Sequence, residues 1–183
     1  FIGVWLGKEK ADGTFPTITL PDSAKTYDVF GFIRYAKGAV IKDLNIVTKY
    51  NSDTTVDETK TTAVTEAGGM VIAVVLGGDN IIDNVTVGGD IILTTSQTSG
   101  GYCNVHVGGY VGVVEKGSLI LRNVSDTAVA TFRIECVQTG TTKDIYFPYM
   151  GAFVGKVEDG FVLYEGAGNG GSATEDSGDS STT

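Results

Sequence analysis

The sequence has few of the residues from which catalytic and metal sites are built. It contains one histidine and two cysteines among 183 residues. The single His106 heads no catalytic triad, because no Gly-x-Ser-x-Gly segment occurs, and we expect a surface or strand position for it. Zinc-type Cys/His clusters and an Asp-x-Asp-x-Asp-Gly calcium loop are also lacking. We therefore predict that the chain is not an enzyme and uses no cofactor or metal.

Three carboxylates do come close together along the chain, at Asp79, Asp83 and Asp90. They would allow an adventitious Ca²⁺ ion at a loop. Carboxylates that are simply solvated at turns are the interpretation we favour.

Basic residues and long apolar runs are also scarce. There are 13 Lys and Arg against 22 Asp and Glu, which gives a net charge of -9. Without a basic stripe, nucleic acid and anionic membrane surfaces are disfavoured as partners. No apolar run reaches the length of a membrane span, so we predict no membrane contact by this segment. The chain opens on strand-like sequence at Phe1 without a signal-peptide pattern, and we expect it to belong to a longer protein.

Proline and cysteine are sparse, whereas glycine is abundant. Three prolines stand against 26 glycines, a balance typical of many tight turns or close backbone approaches. Cys103 and Cys136 are compatible with one disulfide in a secreted protein or with two buried thiols, and the sequence leaves both open.

The chain consists of four copies of one unit. Equivalent apolar residues are spaced by 38, 40 and 43 residues, at Ile33, Val71, Val111 and Val154. A glycine follows each of them, at Gly38, Gly78, Gly117 and Gly160. A second landmark is polar in the first three units and glycine in the fourth, at Asp43, Asn84, Asn123 and Gly166. Independent landmarks with one period establish an internal repeat.

The composition of each unit predicts strands and not helices. Val, Ile, Thr and aromatic residues dominate short runs bounded by Gly, Asn and Asp. A propeller blade would need regular hairpin turns, which are lacking, so a solenoid fits better. We predict an all-β fold, a right-handed single-stranded parallel β-helix with about four coils of roughly 40 residues. Asp43, Asn84 and Asn123 should then stack at a left-handed corner with hydrogen-bonded side chains.

Two regions follow from the change in composition along the chain. Residues 1–166 form the predicted β-helix repeat domain. Residues 167–183 contain Gly, Ser, Thr, Asp and Glu with hardly any apolar side chain, which is typical of a flexible acidic linker.

The repeat resembles the GLUG-motif repeats of bacterial surface proteins. Gly108-Gly109-Tyr110-Val111-Gly112, followed by Gly117, Ile120 and Asn123, matches their pattern, and Gly151–Gly155 matches its first half. The resemblance implies a parallel β-helix of adhesin type on a secreted or cell-surface bacterial protein, without shared catalytic residues. Arg34 and Ile72 stand where the motif has glycine, and the fourth unit lacks the asparagine.

Two groups of residues are candidates for a site. Tyr146, Phe147 and Tyr149 could form a patch that contacts a sugar or a protein, or could pack on the core. Glu115 and Glu158 occupy nearly equivalent repeat positions and could act as a glycosidase pair. Exposed stacked carboxylates paired with Lys116 and Lys156 are the favoured alternative for the two glutamates.

These observations predict a non-catalytic segment of a large extracellular bacterial protein, acting as an adhesin-like stalk or a binding surface. Its partners would be other modules of the same polypeptide and a host or environmental glycan or protein. A carbohydrate-active β-helix that binds or cleaves polysaccharide is the alternative.

Overall fold

The computed structural model describes residues 1–20, 29–56, 64–97, 103–124, 132–139 and 147–166. These residues form an all-β fold in which no helix occurs. None of them belongs to a helix long and apolar enough for a membrane span. Every strand pairing among them is parallel. The all-β prediction with parallel strands is confirmed.

The described strands follow the Val- and Ile-rich runs of the sequence. In chain order they are β1 (Gly3–Leu6), β2 (Thr17–Thr19), β3 (Val29–Phe30), β4 (Ile33–Lys37), β5 (Ala39–Val56), β6 (Val64–Gly69), β7 (Ile72–Gly77), β8 (Asp79–Gln97), β9 (Cys103–Gly108), β10 (Val111–Arg122), β11 (Phe132–Thr139), β12 (Phe147–Gly151) and β13 (Val154–Glu165). β11 lies between the strands of the third and fourth repeat units.

The strands form two sheets, and each repeat unit contributes to both. One sheet has four strands in the order β12-β9-β6-β3. The other has nine strands, along the path β1-β5-β8-β10-β7-β4 with β2, β11 and β13 paired beside it. Strands that are distant in sequence are therefore neighbours in space, because a parallel pair needs a long connection between its two strands.

The registers bear out the repeat and correct one of its columns. Ile33 pairs with Ile72, Ile72 with Val111, and Val111 with Val154. The assignment of Val71 to this column was wrong by one residue. Gly69 pairs with Gly108, so the second unit reaches its strand three residues later, at Ile72.

The same register moves the residue that replaces the motif glycine. Val74 pairs with Val113, so Gly112 corresponds to Ala73 and not to Ile72. The error arose because the second unit carries two adjacent glycines, Gly68 and Gly69, and sequence alone does not say which one matches Gly108.

The polar column lies at a left-handed corner, as predicted. Asp43, Asn84 and Asn123 have φ angles of 59°, 53° and 48°. Asn84 donates a hydrogen bond to Asp43 at 2.7 Å. Asn123 donates instead to the carboxylate of Asp83, at 3.0 Å. Short amide and carboxylate side chains tolerate this backbone and link neighbouring units across it.

The main core contains residues of both sheets, and many of them repeat in register. Its largest fully buried side chains include Ile41, Ile72, Ile82, Tyr110 and Leu121. Tyr110 donates its hydroxyl to the carbonyl of Val85 at 3.0 Å, so its one polar atom is satisfied in the interior.

The cysteines belong to different strands. Cys103 begins β9 and pairs with Val64, whereas Cys136 lies in β11 and pairs with Leu93. Their side chains, and the predicted linker 167–183, lie outside what the structure describes.

Candidate functional site

A second, smaller apolar cluster lies apart from the main core. It consists of Ala67, Ala73, Val74 and Val113, with Val29 packed against it. Ala67 belongs to the four-stranded sheet and Val74 to the nine-stranded one, so the cluster joins columns of the two sheets. We call it the outer cluster.

The outer cluster becomes polar and aromatic towards the last unit. In one column Ala67 is followed by His106 and then by Tyr149. In the other, Val113 is followed by Lys156. Small apolar side chains in the second unit therefore give way to an imidazole, a phenol and an ammonium group.

The side chains of this polar end contact one another. The rings of His106 and Tyr149 have centroids 5.1 Å apart. The ammonium of Lys156 lies 5.3 Å from the centroid of the Tyr149 ring, a cation–π distance, and 2.8 Å from the carboxylate of Glu158. Together these four residues, from β9, β12 and β13, form a cluster of titratable and aromatic groups in the described part of the chain.

His106 lies in strand β9, one of the two positions expected for it, and its side chain is buried. Its Nδ1 has no hydrogen-bond partner among the described residues. Burial lowers the pKa of the imidazole, and the charge of Lys156 lowers it further, against an opposing effect of Glu158. At neutral pH the imidazole of His106 is therefore mainly uncharged in the folded protein.

Of the three aromatic residues predicted to contact a ligand, the structure describes the side chain of one. Tyr149 is 47% exposed, so its ring is accessible at the surface beside Lys156. Phe147 lies in β12 and pairs with Asn104, but its side chain is outside the described set. Tyr146 also lies outside the described residues.

The two glutamates proposed as a glycosidase pair occupy adjacent strands. Lys116 pairs with Asp159 and Val114 with Val157, which places Glu115 beside Glu158. Both are exposed, and Glu158 forms an ion pair with Lys156. Of the expected pairs between these glutamates and the lysines, the structure shows the one between Glu158 and Lys156.

Sequence reasoning missed an aromatic cleft beside the first strands. Its volume is about 440 Å³, and it is lined by Phe1, Trp5, Phe32, Ile33, Arg34 and Tyr35. Trp5 meets Phe32 edge to face, with centroids 5.2 Å apart. The amino terminus of Phe1 donates to the carbonyl of Tyr35 at 2.5 Å and holds the first residue against β4. Clefts lined by aromatic rings with a few polar groups are typical ligand sites.

A column of alternating charge was also missed. Lys42, Asp83, Arg122 and Glu165 pair in that order across four strands. Asp83 lies 2.6 Å from Lys42 and 3.9 Å from Arg122, and Arg122 lies 2.6 Å from Glu165. The repeat alignment already contained this alternation, since each of these residues directly precedes a residue of the column Asp43, Asn84, Asn123 and Gly166.

The pKa values in this column follow from its geometry. Partial burial alone would raise the pKa of the Asp83 carboxyl, but hydrogen bonds from Lys42 and Asn123 and the charges of Lys42 and Arg122 outweigh it, and the pKa is lowered. The hydrogen bond and charge of Glu165 raise the pKa of Arg122.

The carboxylates considered for calcium have other partners. Asp79 accepts a hydrogen bond from Ser118 at 2.7 Å, and Asp83 is paired with Lys42. The described residues contain no group of three or more His, Cys, Asp or Glu that could hold a metal ion. The side chain of Asp90 lies outside them.

Comparison with protein-family models, with curated proteins and with solved structures finds no match for this chain. The resemblance to GLUG-motif repeats therefore stays a prediction from the sequence.

Proposed function

We propose that the chain is a segment of a right-handed parallel β-helix, with about four coils of roughly 40 residues, from a large secreted or cell-surface bacterial protein. In this proposal it is non-catalytic and acts as an adhesin-like stalk or a binding surface, as in the GLUG-motif repeats that it resembles. The polar end of the outer cluster is its ligand-contact surface.

The observation that carries the proposal is the parallel stacking of equivalent residues from all four units. Ile33, Ile72, Val111 and Val154 pair in sequence order, one per unit. In such an array each unit is stabilised mainly by its neighbours, so the chain extends in one direction. Extended repeats of this kind suit a stalk that displays surfaces along its length.

A binding screen tests the ligand-contact surface. Immobilised glycans and extracellular matrix proteins are probed with the chain, with Tyr149→Ala and with the control Leu76→Ala, which changes another exposed apolar residue. We expect a binding signal that Tyr149→Ala reduces at least about fivefold and that the control retains. A signal equal in all three proteins would refute the assignment of Tyr149. A helical circular dichroism spectrum would refute the β-helix.

A second candidate is a carbohydrate-active β-helix, which two observations favour. Phe1, Trp5 and Tyr35 present half-exposed rings to the cleft, and such rings stack on sugars. Glu115 and Glu158 lie side by side on adjacent strands. Turnover of a polysaccharide that is lost in Glu115→Gln or Glu158→Gln would establish this candidate. If the parent protein binds a polysaccharide without cleaving it, and Trp5→Ala abolishes this binding, the candidate function would be restricted to sugar binding.

A further inference from the structure

Among the described strands, β13 forms a long edge of the nine-stranded sheet. β13 pairs with β10, and no other described strand pairs with it. An edge of twelve residues presents a row of backbone donors and acceptors to which a further strand can add.

The core is also uncovered at this edge. In the column Ala36, Val75, Val114, Val157, the first three side chains are fully buried and Val157 is 43% exposed. In the column Ile41, Ile82, Leu121, Tyr164, exposure rises from 0%, 0% and 1% to 52%. The same inward positions are covered in the units that another described strand follows, and their apolar side chains are exposed in β13, which no described strand follows.

The charge column indicates which charge a further strand would place beside Glu165. Lys42, Asp83, Arg122 and Glu165 alternate in sign, and the column ends on a carboxylate that is 39% exposed. The next position in the alternation is a cation. Arg122 contacts carboxylates on both neighbouring strands, so an arginine in this column reaches a partner on either side.

We propose that the free edge of β13 binds an extended protein segment as a further parallel strand. Its occupant carries a large apolar side chain opposite Tyr164 and a lysine or arginine opposite Glu165. The parallel direction continues that of every described pairing, and it keeps inward side chains over the open core. The proposal depends on this strand register and not on the adhesin-like role.

A peptide with the chain's own β10 sequence is a suitable probe. The fluorescent peptide Ser118–Val124 places Leu121 opposite Tyr164 and Arg122 opposite Glu165 when it adds in the register of β10. The matched control is the same peptide with Arg122→Glu. We expect the arginine peptide to bind the chain about five to ten times more tightly in a fluorescence anisotropy titration at low salt.

Charge-reversal variants distinguish the contact between Glu165 and the peptide arginine from nonspecific binding. The protein variant Glu165→Lys is expected to reverse the preference and bind the glutamate peptide more tightly. Asp159→Lys makes the same charge change on the same strand, at the position that pairs with Lys116, a residue that the peptide lacks, and it should keep the original preference. Circular dichroism of each variant checks that it is folded. Failure of both peptides to bind at millimolar concentration, or a preference that Glu165→Lys does not alter, would overturn the proposal, while the glycan and matrix-protein screen tests the ligand surface separately.

Discussion

Asn80 is the polar side chain on which the fold depends most directly. It is fully buried, and its Oδ1 accepts a hydrogen bond from the Ala39 N–H at 3.0 Å. Its Nδ2 donates to the carbonyls of Gly77, Gly78 and Ser118 at 3.0 to 3.1 Å. One amide therefore connects three successive units of the repeat.

The cost of Asn80→Ala follows from which partners are left without a bond. The carbonyls of Gly77 and Gly78 keep backbone donors, from Gly38 and Ser118. The Ala39 N–H loses its acceptor in a buried place, which by itself costs about 1–3 kcal/mol. With a small cavity added, we expect the free energy of unfolding to fall by about 2–4 kcal/mol. Urea denaturation followed by circular dichroism measures this directly.

Asn80→Asp tests the same reasoning at constant shape. The aspartate still accepts from Ala39, but its second oxygen faces three carbonyl oxygens, so it should cost more than the alanine at neutral pH. Burial and these carbonyls raise the pKa of the introduced carboxyl in the folded state. The folded protein then binds the proton more readily than the unfolded chain, and stability relative to Asn80→Ala should recover as the pH falls. An alanine variant within about 0.5 kcal/mol of the parent would refute the role of Asn80. So would an aspartate variant without this recovery.

Three further predictions follow from single positions. Gly38→Ala and Gly117→Ala both place alanine at positive φ, but the new Cβ at Gly38 meets nothing within 4 Å, whereas that at Gly117 lies 2.4 Å from a backbone oxygen. Urea titration should show that the free energy of unfolding falls by about 1–2 kcal/mol in Gly38→Ala and by about 3 kcal/mol or more in Gly117→Ala. Equal losses in the two variants would contradict the packing. Because the pKa of Asp83 is lowered in the folded protein, its carboxylate contributes stability above pH 3.8. This contribution is lost as the pH falls through the pKa of the folded state. Asp83→Asn should lower the free energy of unfolding by about 1–2 kcal/mol at neutral pH and reduce the loss of stability at acidic pH. An acid-dependent loss that the substitution leaves unchanged would contradict the ion pairs. The lowered pKa of His106 predicts a separate loss as the pH falls below 6.5, which His106→Phe should abolish in thermal melts. If His106→Phe still lost stability below pH 6.5, the loss would have to be assigned to another titratable group.

The sequence predicted the parts of the structure that depend on local backbone preference. The corner at Asp43, Asn84 and Asn123 could be predicted because only a few residue types accept left-handed backbone. The glycine column also pairs as expected, with Gly117 opposite Gly160. Strand type followed from β-branched composition, and parallel stacking from the long period of the repeat.

The site was predicted less completely than the fold. Tyr149 is exposed as a ligand-contact residue needs to be, but its neighbour His106 comes from the preceding unit and Lys156 from a strand of the other sheet. The aromatic cleft joins Trp5 to Phe32 and Tyr35, which lie about thirty positions later in the sequence. Contacts of this kind depend on which columns face each other across the sheets, and a repeat pattern does not contain that information.

The sequence by itself determined the period, the strand content and the corner residues, because each depends on short-range sterics and on the spacing of apolar side chains. Tertiary structure decided the register of the second unit, since Gly68 and Gly69 are equivalent locally and only the pairing of Gly69 with Gly108 distinguishes them. It also decided the burial of His106 and the ion pairs that join Lys42, Asp83, Arg122 and Glu165. Both require strands that are some forty residues apart to lie side by side, and long-range backbone hydrogen bonds place them there.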